Sequence, residues 1–89
     1  MLNQILIEEF GKRIRQLRTE RNLSQEELSF LTGFHRTYIG MIERGERNIS
    51  LANIGVFAKS FGLNVAEIFD FPSGALSRDF QNYQNKTDK

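Results

Sequence analysis

Helix caps and glycines punctuate this chain so regularly that they limit what it can fold into more than any other feature. Ser24 stands three residues before Glu27, and Gly33, Gly45 and Gly62 each follow an apolar run. A Ser-x-x-Glu quartet forms a capping box. The serine oxygen accepts from the amide three residues on, and the glutamate reaches back to the serine amide. A glycine just past an apolar run stops a helix, because it adopts positive φ without a steric penalty. Such signals divide the chain into short helices. Helices this short are marginal in water alone and must pack against one another.

The spacing predicts a first helix from about Ile5 to Arg21, with Ile7, Phe10, Ile14 and Leu17 as one apolar stripe. Arg13, Arg15 and Arg18 lie off that stripe, and Asn22 is suited to end it. A second helix runs from Gln25 to Thr32 with Leu28 and Leu31 inward, and Gly33 closes it. A third begins near Arg36, carries Tyr38, Ile39 and Ile42, and reaches about Arg44 before Gly45. Ser50 caps a fourth, Leu51 to Phe61, with Ile54, Phe57, Ala58 and Phe61 inward. Asn64 opens a short fifth helix through Phe69. No stretch alternates apolar and polar residues as a strand would. The expected fold class is all-α, with five helices in one domain over residues 1–71. Pro72-Ser73-Gly74 marks its edge, and residues 72–89 form a polar tail. Leu76, Phe80 and Tyr83 stand at helical spacing in that tail, which leaves a short extra C-terminal helix open.

Composition removes several function classes. A domain of 89 residues buries only about 60% of its unfolded surface and usually needs further support. The absence of cysteine rules out disulfides and thiolate metal sites, and His35 alone cannot assemble an imidazole site. Neither a metal nor another cofactor is expected, and association with a second subunit is the support left. The lack of cysteine fits a reducing cytoplasm. No apolar run approaches the roughly 18 residues that span a membrane. Met1 to Phe10 carries Glu8 and Glu9 without a basic lead, unlike a signal peptide. An enzyme is not expected: there is no cysteine nucleophile, no phosphate-binding glycine loop and no recognisable carboxylate pair.

The net charge of +1 announces no partner, but its distribution is uneven. Nine Lys/Arg against seven Asp/Glu precede residue 62, and three against four follow. The cations gather at Lys12, Arg13, Arg15, Arg18 and Arg21, and again at Arg36, Arg44 and Arg47. Such patches can hold phosphates; equally, they can be solvated helix faces.

Two short helices joined by a tight glycine turn, in an all-helical domain of this size, form the plan of a helix-turn-helix. In that geometry the second helix of the pair presents its N-terminal side chains to base edges in the major groove. Here those are His35, Arg36, Thr37 and Tyr38. Arg36 can bond guanine O6 and N7 together, and Thr37 offers a methyl and a hydroxyl. Tyr38 either reaches a phosphate through its hydroxyl or only packs, and His35 either touches DNA or only turns the chain. Ser24 and Gln25 stand where a helix N-terminus can hold a phosphate. Arg47, Asn48 and Ser50 can clamp the flanking strand, and Ser50 can cap a helix at the same time. Arg44 either reaches phosphate or pairs with Glu43 or Glu46.

Leu63, Val65, Ile68, Phe69 and Phe71 form a compact apolar cluster around a helix too short to bury them all. They are the expected two-fold interface, together with part of the fourth helix. The alternative is that they only seal the monomer core.

Leu23-Ser24-Gln25-Glu26-Glu27-Leu28, the turn at Gly33, and Ile42-Glu43-Arg44-Gly45 resemble the phage-repressor (Cro/C1, or XRE-like) helix-turn-helix domains over about residues 8–71. Within that group, His35-Arg36-Thr37-Tyr38-Ile39 with Arg47-Asn48-Ile49-Ser50-Leu51 is similar to the controller proteins of bacterial restriction–modification systems. The resemblance implies a five-helix phage-repressor-like fold, with Arg36, Thr37 and Tyr38 in the major groove and Arg47, Asn48 and Ser50 on phosphates. It implies a homodimer on a pseudo-palindromic operator in double-stranded DNA, regulating its own gene and an endonuclease gene. Activation is expected at low level and repression when the protein is abundant. Activators of this kind commonly touch a polymerase sigma factor through an acidic residue of the second helix, where Glu26 stands. Glu26 is also simply a favourable charge at a helix N-terminus. The chain departs from the pattern in continuing from Ser73 to Lys89. An antitoxin-type or phage-type repressor, binding DNA and a protein partner, is the alternative.

Overall fold

The computed structural model describes residues 2–71. The helices are α1 (Leu2–Glu20), α2 (Gln25–Thr32), α3 (Arg36–Glu43), α4 (Leu51–Phe61) and α5 (Val65–Ile68), with no strand among the described residues. The tail from residue 72, including the helix suggested by Leu76, Phe80 and Tyr83, lies outside them.

The ends fall where caps dictate. Ser24 and Glu27 make both halves of the capping box, at 3.0 and 2.8 Å. Asn64 and Glu67 make a second one at α5. Gly33 turns the chain after α2 with φ +80°, in the left-handed region that glycine alone enters freely. α1 starts earlier than its apolar stripe suggested. Its first turn is held by Gln4 Nε2, which donates within the helix to Glu8 at 3.2 Å and outside it to the Gly45 carbonyl at 3.4 Å. α1 stops at Glu20, and Asn22 takes a left-handed φ of 55° so that the Leu23 amide folds back on the Arg18 carbonyl at 3.1 Å.

Phe10, Ile14 and Leu17 from α1 meet Leu28, Ile39, Ile42, Ile54, Phe57, Ala58, Phe61 and Ile68 in one core. Phe57 is its hub. Its ring lies 5.2 Å from Phe34, 6.4 Å from Phe10 and 6.5 Å from Phe61, joining α1, the turn and α4. Each fully buried side chain of this kind contributes about 1.5–3 kcal/mol. α1 and α3 pack unusually closely at Gly11. A Cβ there would collide with the backbone carbonyl oxygens of Ile42 and Glu43.

Two expectations about facing are corrected. Leu31 is not inward: it is 56% exposed. α4 meets its backbone instead, with Ser60 Oγ donating to the Leu31 carbonyl at 3.4 Å, while Leu28 fills the inward position of this short helix. Ile68, expected at a two-fold interface, is fully buried inside its own domain. α5 lies across α4 with its carbonyl end tied to α1. Arg13 donates to the Glu67 and Ile68 carbonyls at 2.8 and 3.3 Å, which draws Ile68 into the core.

Candidate nucleic-acid interface

The α2–α3 turn is tied by side chains as well as by backbone. Ser29 Oγ donates to the Phe34 carbonyl at 2.7 Å, and the Phe34 amide donates to Thr32 Oγ1 at 3.1 Å. His35 then caps α3, its Nδ1 accepting from the Thr37 amide at 3.0 Å. That bond places the imidazole proton on Nε2, which stays exposed at the start of the helix.

α3 has two distinct faces. Ile39 and Ile42 are buried against the core. Arg36, Thr37 and Arg44 are exposed, and Gly40 between them is buried, with the Arg44 and Gln25 side chains lying over it. No described residue forms an ion pair with Arg36.

Tyr38, expected among the base-reading residues, lies between the two faces of α3. Its ring is half-buried, 5.1 Å from Phe34 and edge-on to it. Its hydroxyl accepts from Asn53 Nδ2 at 3.1 Å, and the Arg47 guanidinium covers the ring at 5.6 Å. The phenol thus sits on the flank where α3, the following loop and α4 meet. With the oxygen accepting from Asn53, the O–H proton is left to donate to a ligand. Arg47 and Asn48 are exposed on the same flank, and Ser50 caps α4 by accepting from the Asn53 amide at 3.1 Å.

On the other flank, Ser24 Oγ is engaged as the α2 cap. Gln25 is held rather than free, its Nε2 donating to Glu43 Oε1 at 3.1 Å. Arg44 pairs with Glu46 by two bonds, at 3.0 and 3.2 Å, in the exposed loop. Hydrogen bonding to Glu46 raises the Arg44 pKa, and the same bonds lower that of Glu46.

Sequence reasoning missed Glu43 as the centre of the site. Its carboxylate is 4% exposed and accepts from Arg18 Nε at 2.6 Å, Arg18 Nη2 at 3.0 Å and Gln25 Nε2. Arg18 also donates to the Leu23 carbonyl at 2.8 Å. One carboxylate therefore fixes α1, the start of α2 and the end of α3 relative to one another. Hydrogen bonding to Glu43 lifts the Arg18 pKa further above its already high value. The available signal was an acidic residue directly after the buried Ile42.

Most of the basic run of α1 is engaged within the protein, Arg15 being exposed. Arg13 and Arg18 are occupied as described. Arg21 donates to the Leu17 and Phe61 carbonyls at 3.0 and 3.1 Å and lies 5.1 Å over the Phe61 ring. Lys12 pairs with Glu9 at 3.2 Å. Among the described residues no cluster of three or more His, Asp or Glu could hold a metal, and no helix is long and apolar enough to cross a membrane.

A capped helix, a glycine turn and a second helix with an exposed Arg-Thr start, all locked by a buried carboxylate, constitute a helix-turn-helix DNA-binding unit. The chain belongs to the helix-turn-helix family, whose profile matches residues 14–68, and within it to the control-protein group of transcription regulators. It is 48% identical over 63 residues to control protein C.BamHI of Bacillus amyloliquefaciens, covering 70% of this chain and 78% of that protein. It is 41% identical over 58 residues to control protein C.SmaI of Serratia marcescens, covering 65% and 69%. The crystal structure of the restriction–modification controller C.AhdI from Aeromonas hydrophila superposes with a TM-score of 0.68 at 48% identity. That match covers 96% of C.AhdI but 71% of this chain, so this chain is the longer of the two.

Proposed function

We propose that this protein is the controller of a restriction–modification system, binding a pseudo-palindromic operator as a homodimer and setting transcription of its own and the endonuclease gene. The observation that carries this reading is the outward start of α3. Arg36 and Thr37 stand exposed on a helix whose opposite face is fully committed to the core. Arg36 reads guanine through its fork, Thr37 adds a contact to a neighbouring base, and His35 offers its Nε2 proton. Tyr38, Arg47, Asn48 and Ser50 hold the strand on one flank; Ser24, Gln25 and Arg44 hold it on the other. The interface reading keeps Leu63, Val65, Phe69 and Phe71 and drops Ile68. Leu63, Phe69 and Phe71 are half-buried, and Val65 is 40% exposed. A two-fold axis there spaces the α3 helices about 34–36 Å apart, one turn of DNA. A sigma factor is a further partner of this reading, through the exposed Glu26. Regulation of this kind is non-enzymatic and cytoplasmic.

Selection of bound duplexes from a random pool tests the reading. The expected product is a two-fold repeat with a guanine in each half-site and a centre spacing of one turn. A pool that returns no consensus overturns it. Val65→Asp should give monomers in analytical ultracentrifugation without disturbing the core, since Val65 is exposed. A persistent dimer would move the interface elsewhere.

A further inference from the structure

Ser24, Ser50 and Asn64 cap α2, α4 and α5 on one plan, each accepting from the amide three residues on. At α2 and α5 that third residue is a glutamate whose carboxylate reaches back to the cap amide, Glu27 at 2.8 Å and Glu67 at 2.9 Å. In α4 the place belongs to Asn53, and its half-buried side chain turns instead to α3. Nδ2 donates to the Tyr38 hydroxyl at 3.1 Å, across 15 residues. Asparagine favours neither a helix interior nor a capping box, so its own helix does not explain it.

The Tyr38 ring is fixed independently of that bond. Phe34 meets it edge-on at 5.1 Å, and the Arg47 guanidinium lies over it at 5.6 Å. A phenol O–H lies in the plane of its ring, which gives the proton two positions, one on each side of the oxygen. Asn53 fills one side with a donor, so the proton takes the other.

We infer that Asn53 is a positioning residue for DNA binding: it turns the Tyr38 O–H away from α4, so that the tyrosine donates to a backbone phosphate beside Arg47. This rests on the DNA-binding reading above and on no particular operator. Phosphate oxygens only accept, and a hydroxyl whose proton was committed to residue 53 would meet them lone pair to lone pair. Arg47, the cation on the same ring, makes phosphate the partner rather than a base edge. A hydrogen bond to a charged oxygen is about twice as strong as a neutral one. Asn53 itself need not touch the DNA; it acts through Tyr38.

The test is a double-mutant cycle in the full-length protein, with Asn53→Ala and Tyr38→Phe alone and together, on the selected operator and on a random duplex. Tyr38→Phe keeps the ring, and so the seat of Arg47, but removes the donor; it should weaken both duplexes about tenfold. Asn53→Ala should weaken both about threefold or more without lowering the melting temperature. Added to Tyr38→Phe it should cost no more than about twofold, because no proton is left to orient. The salt dependence should stay as in wild type throughout, since no cation is removed. Asn53→Asp, of equal size but able only to accept, should capture the tyrosine proton and bind more weakly than Asn53→Ala. Most of that difference should vanish in the Tyr38→Phe background. Equal losses from Asn53→Ala with and without the Tyr38 hydroxyl would overturn the inference while leaving DNA binding intact. So would Asn53→Asp binding as well as wild type, since the proton would then already point at residue 53. A loss confined to the operator would overturn the phosphate assignment. A wild type with no affinity for either duplex would instead overturn the DNA-binding reading.

Discussion

The arginines of α1 and those of α3 and its following loop look alike in the sequence and do different work. Arg15 is exposed, whereas Arg13 and Arg18, with Arg21 just past the helix end, are bonded to the protein's own carbonyl and carboxylate groups. They tie down carbonyls at the ends of α5 and α4 and neutralise the buried Glu43. Arg36, Arg44 and Arg47 remain at the surface, where Arg44 is held only by the exposed Glu46 and Arg47 only by an aromatic face. The first set builds the scaffold, and the second is left at the surface where the proposed DNA contact would fall. A cluster of positive charge is therefore a weak guide to a DNA footprint, because a guanidinium is as well suited to capping carbonyls as to holding phosphate.

That contrast is open to direct attack. Its largest expected effect is on stability. Arg18→Met leaves Glu43 buried with one remaining donor and should cost about 3–5 kcal/mol in urea denaturation. A loss below about 1 kcal/mol would place Arg18 with the surface cations. Next, Arg36→Ala should weaken operator binding by about 1–3 kcal/mol and relax the preference at one base pair per half-site. Its stability should stay within about 0.5 kcal/mol of wild type. Equal weakening on random DNA would mean that Arg36 reads no base. Arg47→Ala should weaken all sequences alike and flatten the salt dependence by about one unit per protomer. An unchanged slope would remove it from the phosphate contacts.

The smallest effect concerns a cap rather than a cation. The Ser24 amide, and then its hydroxyl, hold the Glu27 carboxyl below its usual pKa. A depressed folded-state pKa means that the stabilisation is complete above the unfolded value, near ~4.3, and disappears as pH falls through the folded value. Glu27→Gln keeps a capping box but has no charge to lose. Its stability should therefore vary less than wild type between neutral pH and pH ~3. A difference that does not change with pH would show that the charge on Glu27 is irrelevant to the cap.

Much of the candidate site's local geometry was legible in the sequence. Arg36 and Thr37 are exposed at the start of α3, His35 does turn the chain, and Ser50 caps α4, as their neighbours implied. Gln25 and Tyr38 were harder, because each has a partner that lies elsewhere in the chain. Gln25 is held by Glu43, 18 residues away, and Tyr38 by Asn53, 15 away. Leu31 and Ile68 show the same limit in the core. Apolar spacing states that a residue shares a face, but not whether a neighbouring helix covers that face.

The sequence by itself determined where helices begin and end, because caps and glycine stops act within three or four residues. It also determined the order of elements and the family, through Ser24, Glu27, Gly33 and the Arg36-Thr37-Tyr38 run. Only the tertiary structure decided which charges are structural. Arg18 finds Glu43 across 25 residues, Arg21 finds Phe61 across 40, and Arg13 finds Ile68 across 55. It alone separated the mid-helix glycines Gly11, pressed against backbone, and Gly55, with open space where a Cβ would stand. The physical reason is range: a cap is satisfied by its own turn, whereas a buried charge or a missing Cβ has meaning only once the packed neighbour is in place.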